Sequence, residues 1–238
     1  MKYKRVLIKI SGEALKDDKN ELILSHEKLV DMARIINDYH HQGLEVSLVV
    51  GAGNIWRGKL SRAINIDQAT GDYMGMISTL INALALQSAL QKLGLSSRVM
   101  SSVEIRAVAE PYIRRKAIHH LEEGRIVIFA GGTGNPYFTT DTTASLRAME
   151  IEAEAILVGK NGVDGAYTCD PNKSKDATLI ATTSYREILE KQLEVMDLTA
   201  ISLLVNSNIT MHIFNMNDIE NFNRIICGEK IGTVIRKE

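Results

Sequence analysis

The chain alternates between short, continuously apolar runs and longer amphipathic stretches. Continuous apolar runs are typical of strands buried on both faces, and amphipathic stretches are typical of surface helices. The pattern predicts strands at Arg5–Ile10, Val46–Val50, Arg98–Met100, Ile126–Ala130, Ala155–Val158 and Met211–Phe214. It predicts helices at Glu27–His40, Asp72–Leu93, Ile113–Glu122, Thr142–Glu150, Tyr185–Glu190 and Leu198–Asn206. This alternation predicts an α/β fold with a mostly parallel central sheet sandwiched by helices.

No feature of the sequence separates the chain into parts. It has only 3 prolines in 238 residues, with no low-complexity linker and no internal repeat. A single domain spanning residues 1–238 is therefore predicted. The helix Asp72–Leu93 is apolar around nearly its whole circumference, so it must be buried. Either the rest of the chain or the same helix of a second copy covers it.

Composition excludes several classes of function. A net charge of −1 disfavours a general nucleic-acid or membrane-surface role. Cys169 and Cys227 make no disulfide framework, and the histidine pairs His40–His41 and His119–His120 lack metal-site partners and are interpreted as surface residues. No signal sequence is evident, and no apolar run is expected to approach the length of a membrane span. The prediction is a cytoplasmic protein that needs neither membrane nor nucleic acid.

The segment Gly131–Asp141 is rich in glycine and hydroxyl groups. It follows a predicted strand and precedes a predicted helix, the position at which α/β sheets bind ligands. Glycines let a ligand approach the backbone closely, and free N–H groups at a helix N-terminus favour an anion. The segment is predicted to bind a phosphate group.

A second glycine turn, Gly51–Trp56, follows the second strand. Trp56 stands where a dinucleotide-binding turn has its third glycine, and its ring would block close packing of helix and strand. The chain also lacks the P-loop pattern. The turn therefore either admits a phosphate, with Arg57 as a charge clamp, or simply connects a strand to a helix.

Lys9 lies near the end of an otherwise apolar strand. Such a lysine either binds a phosphate, with Ser11 and Gly12 supplying backbone donors, or reaches solvent from the edge of the sheet. Three glycine-bearing strand ends in one chain favour the phosphate interpretation.

Three aspartates and one tyrosine have two interpretations each. Asp72 and Asp197 either cap helices or accept hydrogen bonds from the hydroxyls of a sugar. Asp141 either organises Mg²⁺ or a lysine or caps a helix, and Tyr167 either stacks on a base or lies at a rim. The metal ligands stay unknown at this level.

Taken together, these segments resemble the bacterial uridylate kinases, a branch of the amino-acid kinase family. The matching segments are residues 9–15, 51–58, 71–76, 133–141, 163–171, 195–197 and 228–233. The resemblance covers essentially the whole chain and implies an amino-acid kinase-like fold. Ala52 stands where the pattern has a glycine, which is tolerable if only its backbone N–H is used, and residues 64–68 lack a usual glycine and arginine.

The resemblance implies an enzyme that phosphorylates UMP to UDP with ATP and Mg²⁺, a step of pyrimidine nucleotide biosynthesis. It also implies a homohexamer built as a trimer of dimers and feedback inhibition by UTP. Residues 19–24 lack the glycines typical of the region tied to GTP regulation, so activation by GTP stays open.

The resemblance also implies the roles of individual residues. The implied ATP-binding residues are Lys9, Ile10, Ser11, Gly12, Gly53, Arg57, Asn161, Tyr167 and Asp170. The implied UMP-binding residues are Ala52, Asp72, Thr133, Gly134, Asn135, Pro136, Tyr137, Phe138, Thr139 and Thr140. The implied catalytic residues are Lys9 and Arg57, which would neutralise the phosphoryl group, and Asp141 and Asp197, which would organise the lysine and the metal.

Two other functions remain open. One is a kinase that phosphorylates a carboxylate, as acetylglutamate and aspartate kinases do; the hydroxyl cluster at Thr133–Thr140 and Asp72 favour a nucleotide acceptor instead. The other is a nucleotide-binding regulatory protein without turnover. Against it argues the joint presence of four residues: Lys9, Arg57, Asp141 and Asp197.

Overall fold

The computed structural model describes residues 2–17, 20–169, 176–193, 195–218 and 220–238, without the side chain of Arg62. Asp170, an implied ATP-binding residue, and Lys19, the first residue of the glycine-poor segment, lie outside the described residues. Contacts divide the chain into an N-terminal unit, Lys9–Thr140, and a C-terminal unit, Asp141–Glu238 with Met1–Ile8. A single domain stays a prediction.

The N-terminal unit contains a parallel sheet. The last two residues of strand β1 (Arg5–Ile10) belong to this unit, and a 3₁₀ turn at Gly12–Leu15 follows them. The further elements are α1 (His26–His41), β2 (Glu45–Val50), α2 (Gly58–Ala63), α3 (Gln68–Lys92), β3 (Ser97–Ser101), β4 (Glu110–Pro111), α4 (Arg114–Glu122) and β5 (Ile126–Ala130). The strands pair in the order β4-β3-β5-β2, each pair parallel. Because the strands run in parallel, their carboxyl ends share one edge.

The C-terminal unit continues the same type of architecture. Its elements are α5 (Thr140–Glu150), β6 (Ala155–Lys160), β7 (Thr182–Ser184), α6 (Tyr185–Lys191), α7 (Leu198–Leu204), β8 (Thr210–Asn215), α8 (Glu220–Ile226) and β9 (Thr233–Arg236). The strand order is β1-β6-β8-β9-β7, and β8 and β9 are antiparallel. The predicted α/β class with a mostly parallel sheet and flanking helices is confirmed.

Helix α3 begins earlier than predicted. Asp67 is its N-cap and accepts a hydrogen bond from the Thr70 N–H at 3.0 Å, so a capping role for Asp72 is wrong. Hydrogen bonds from the Thr70 hydroxyl and N–H hold the pKa of Asp67 below its usual value. Gly71 lies inside the helix, and a glycine is needed there because α2 packs closely against it. A methyl group added at Gly71 would lie 2.7 Å from Cβ of Ser61.

Helix α3 is also longer than the sequence pattern suggested. With 25 residues it is long and apolar enough to cross a membrane by length and composition, which corrects the expectation that no apolar run approaches that length. Met76, Leu80 and Leu86 are buried in the N-terminal unit, and so is the polar Asn82. Such burial is typical of a core helix in a folded unit.

His120 does not lie at the surface. Its ring is buried, with Nε2 3.1 Å from Oε2 of Glu110, and the Arg125 guanidinium lies 3.0 Å from its Nδ1. The surface interpretation is therefore wrong for His120, because sequence spacing does not reveal the carboxylate that accompanies it. Burial raises the pKa of Glu110, but hydrogen bonds from Lys116 and His120 outweigh it and lower the pKa overall.

His212 on β8 is a buried histidine with a polar partner. Its Nε2 lies 2.7 Å from the Tyr3 hydroxyl, whereas its Nδ1 is buried without a hydrogen-bond partner among the described residues. Burial, with a smaller contribution from the charge of Lys2, lowers the pKa of His212 to about 4. The neutral ring is therefore the form that fits the folded C-terminal unit.

We expect His212 to make the protein sensitive to acid. Between pH 6.5 and about pH 4 the unfolded chain takes up a proton on His212 that the folded chain does not, so stability is lost as the pH falls through this window. The loss from this residue is up to about 3 kcal/mol. Denaturant unfolding measured across this range checks it: His212→Gln should flatten the pH dependence. The control His41→Gln, at an exposed position, should retain the pH dependence. If His212→Gln retains it as well, His212 is not its cause.

Candidate active site

The loops after β1 and β2 are in close backbone contact at Gly12. The Gly51 N–H donates a hydrogen bond to the Ile10 carbonyl at 2.9 Å. A methyl group added at Gly12 would lie 2.6 Å from N of Gly53 and 2.8 Å from O of Gly51, so only glycine fits there. Two of the segments predicted for the ATP phosphates are therefore adjacent in the N-terminal unit.

Arg57 is oriented by a residue that sequence reasoning missed. Its guanidinium donates to Oε1 of Glu13, from Nη2 at 2.6 Å and from Nε at 3.0 Å. Nε is also 3.3 Å from the Gly53 carbonyl. Because the pair is solvent-exposed, it adds little stability, and its effect is to hold the guanidinium over the glycine turn. The only sequence signal for this role was an acidic residue directly after Ser11 and Gly12.

The segment Thr133–Thr140, here called the hydroxyl loop, is fastened at its start. The preceding Gly131, with φ +75°, donates its N–H to the Thr79 hydroxyl oxygen at 2.8 Å. The Ser102 hydroxyl donates to the Gly132 carbonyl at 2.9 Å. The loop therefore leaves β5 by a sharp turn that α3 and the loop after β3 hold in place.

Asp72 lies against the middle of the hydroxyl loop. Its Oδ2 accepts a hydrogen bond from the Tyr137 N–H at 2.7 Å. Tyr137 has φ +72°, a left-handed conformation that is uncommon for residues other than glycine. One oxygen of the Asp72 carboxylate thus stabilises the loop, so two of the implied UMP-binding parts of the chain are in contact.

The end of the hydroxyl loop lies beside the second glycine turn. A methyl group added at Gly51 would lie 3.4 Å from Oγ1 of Thr140. Thr140 is also the first residue of α5, as the expected helix N-terminus requires. The N-terminal unit therefore places the segments predicted for UMP and for the ATP phosphates next to each other.

Asp197 and the residue after Asp141 meet in the C-terminal unit. Asp197 caps α7 by accepting a hydrogen bond from the Ala200 N–H at 2.7 Å, which confirms its capping interpretation. The buried Thr142 hydroxyl lies 3.0 and 3.1 Å from its two carboxylate oxygens. Asp141 is the second residue of α5 rather than its cap. Thr142 therefore links the start of α5 to Asp197.

Two of the implied ATP-binding residues, Asn161 and Tyr167, lie on a loop of the C-terminal unit. Asn161 is exposed, and Tyr167 is half-buried and forms a β-bridge with Leu179. The Ala166 N–H donates to the Thr233 hydroxyl at 2.7 Å. An added methyl group at Gly165 would lie only 2.5 Å from that oxygen, so this loop is anchored to β9.

Comparison with known proteins agrees with this geometry. The model of the amino acid kinase family matches residues 4–215. A uridylate kinase of Limosilactobacillus reuteri is 52% identical over 99% of this chain and 98% of the relative. A uridylate kinase of Pediococcus pentosaceus is 50% identical over 100% of this chain and 98% of the relative.

Solved structures give the same result. UMP kinase from Bacillus anthracis superposes with a TM-score of 0.96 at 41% identity, covering 100% of this chain and 98% of that one. UMP kinase from Ureaplasma parvum superposes with a TM-score of 0.92 at 36% identity, covering 100% of both chains. The chain therefore belongs to the amino acid kinase family, within the uridylate kinase branch that its sequence segments predicted.

Proposed function

We propose that this protein phosphorylates UMP with ATP and forms UDP and ADP. The observation that carries the proposal is the adjacency of the Gly51 turn and the hydroxyl loop at Thr140. The turn carries the implied ATP contact Gly53 together with the implied UMP contact Ala52, and the loop carries most of the other implied UMP contacts. A relative named uridylate kinase, 52% identical over 99% of the chain, supports the same reaction.

The proposed mechanism needs no general base. A phosphate oxygen of UMP is already anionic near neutral pH, so it can attack the γ-phosphorus of ATP directly while the bond to ADP breaks. Catalysis then consists of positioning and charge neutralisation. In this proposal Lys9 and Arg57 neutralise the transferring group, and Glu13 orients Arg57. This explains why neither a histidine nor a cysteine is needed.

A magnesium ion that arrives with ATP would need few ligands from the protein. The described residues contain no cluster of three or more His, Cys, Asp or Glu side chains that could hold a metal. Mg²⁺ is commonly held by one or two carboxylates together with substrate phosphates, and Asp141 would supply such a carboxylate. When bound, the ion would neutralise phosphate charge. Asp197, which accepts hydrogen bonds from Thr142 and Ala200, would orient the start of α5.

Further parts of the proposal concern assembly and regulation. Tyr73, Ile77 and Ile81 are exposed on α3 at four-residue spacing and form an apolar stripe that the N-terminal unit leaves uncovered. A second copy packing on this stripe would support the homohexamer, a trimer of dimers. The proposal also includes a cytoplasmic location, a role in pyrimidine nucleotide biosynthesis and feedback inhibition by UTP.

An acceptor screen tests the function directly. We expect a coupled assay for ADP release to show turnover with UMP and little with acetylglutamate or aspartate, because the hydroxyl loop and Asp72 suit a nucleotide. Turnover with CMP should be lower than with UMP, since the similar proteins are named uridylate kinases. Turnover with an amino acid acceptor instead would establish a carboxylate kinase. No ADP release with any acceptor would favour a regulatory protein.

Lys9 should be essential for the chemical step. We expect Lys9→Ala to lower kcat by roughly 100-fold or more, because it removes a charge that acts mainly on the transition state. UMP binding, measured by calorimetry, should largely persist. Lys59→Ala, at an exposed position on α2, serves as the control and should retain activity. Near-normal turnover in Lys9→Ala would exclude the catalytic assignment.

Asp72 should matter more for UMP than for ATP. Asp72→Asn keeps the side chain's shape but removes its charge and one acceptor oxygen, so KM for UMP should rise by about tenfold. KM for ATP should change far less. Asp67→Asn, which weakens the actual cap of α3, should affect thermal stability without changing the ratio of the two KM values. Equal effects of Asp72→Asn on both substrates would argue against a UMP contact.

A further inference from the structure

Two buried polar side chains of α3 make hydrogen bonds to neighbouring loops. Thr79 and Asn82 are 6% and 0% exposed, and they lie three residues apart, so they are neighbours on the helix surface. A buried hydroxyl or amide is costly unless it is hydrogen-bonded, and an apolar side chain would fill these positions without that cost. Their presence therefore indicates that their hydrogen bonds have a use.

Thr79 connects α3 to the start of the hydroxyl loop. Its hydroxyl donates to the Met76 carbonyl at 2.6 Å and accepts the Gly131 N–H at 2.8 Å. The bond to Met76 directs the lone pair of the oxygen towards the loop. Gly131 is the residue at which the chain leaves β5, so a shift there would displace the residues that follow.

Asn82 connects the same helix to the second glycine turn. Its Nδ2 donates to the Gly51 carbonyl at 2.7 Å and lies 2.8 Å from Oδ1 of Asn54. The Asn54 Nδ2 lies 3.0 Å from Oδ1 of Asn82, so the two amides pair reciprocally. Asn82 thus holds the turn at its first residue and again three residues later.

We propose that Thr79 and Asn82 are positioning residues, through which α3 sets the spacing between the UMP loop and the ATP-phosphate turn. This inference rests on the proposed function. Asp72 lies seven residues before Thr79, two helical turns away on the same side, and it fastens the hydroxyl loop at Tyr137. In-line transfer requires the reacting atoms to be aligned, and one rigid helix bonded to both loops provides that alignment.

The test separates the two loops by their substrates. Thr79→Val removes the hydroxyl while keeping the shape, and it should raise KM for UMP by about tenfold with KM for ATP nearly unchanged. Thr79→Ser should restore the wild-type value. Asn82→Ala releases the turn that carries both Gly53 and the implied UMP donor Ala52, so it should raise KM for ATP by a similar factor and KM for UMP as well. Because both side chains are buried and bonded to the loops, a change confined to UMP in Thr79→Val and a change that includes ATP in Asn82→Ala are the signature of positioning.

Two positions on the same helix provide matched controls. Ser78 is also buried, but its hydroxyl donates to the Met74 carbonyl of its own helix at 2.7 Å. Gln87 donates to the Ser97 carbonyl at 3.2 Å, away from both loops. Ser78→Ala and Gln87→Ala should leave both KM values within about twofold of wild type.

The outcomes distinguish this inference from the proposed function. If the wild-type protein does not phosphorylate UMP, the proposed function fails, whatever the variants do. If the wild type does so and Thr79→Val and Asn82→Ala lower only the unfolding temperature, the positioning role is overturned. Should Asn82→Ala not fold, Asn54→Ala breaks the same amide pair from its less buried side. It should raise KM for ATP, and an unchanged KM would equally overturn the inference.

Discussion

The close approach of two backbones at Gly12 is the constraint on which the candidate site depends. No side chain fits there, because a methyl group would lie 2.6 Å from N of Gly53. The loops after β1 and β2 can therefore touch, and the Gly51 N–H bonds to the Ile10 carbonyl. A larger residue would separate the two strand ends and, with them, the groups proposed to surround the ATP phosphates. The glycine is required by packing before any ligand is considered.

Polar groups in the core of the N-terminal unit serve the loops. Thr79 and Asn82 lie in a helix that is otherwise largely apolar, and both bond to main-chain atoms of the glycine turns. Burying such groups is acceptable because each finds a partner. The result is a rigid helix whose one side holds the loops, while Ile77 and Ile81 face outward. Site geometry and the apolar stripe are thus properties of the same helix.

Elements with strong hydrophobic periodicity could be predicted, and weak ones could not. The strands β1 and β5 have the bounds that the sequence pattern predicts. By contrast β4 has two residues and β7 has three, too short to show a periodicity. Helix α3 begins at Gln68 rather than at the predicted Asp72, and Gly71 inside it accommodates the close packing of α2. The bounds of these elements depend on strand pairing and helix packing rather than on local residue preference.

By itself the sequence determined the α/β class, the positions of the glycine turns and the hydroxyl loop, and membership of the amino acid kinase family. These follow from local periodicity, from the conformations that only glycine adopts, and from ordered segments along the chain. Only the tertiary structure decided which polar groups meet. Gly131 and Thr79 are 52 residues apart, Gly51 and Asn82 are 31 apart, and Glu13 and Arg57 are 44 apart. A hydrogen bond over such a separation has no local pattern, since it exists only once packing has brought its two ends together.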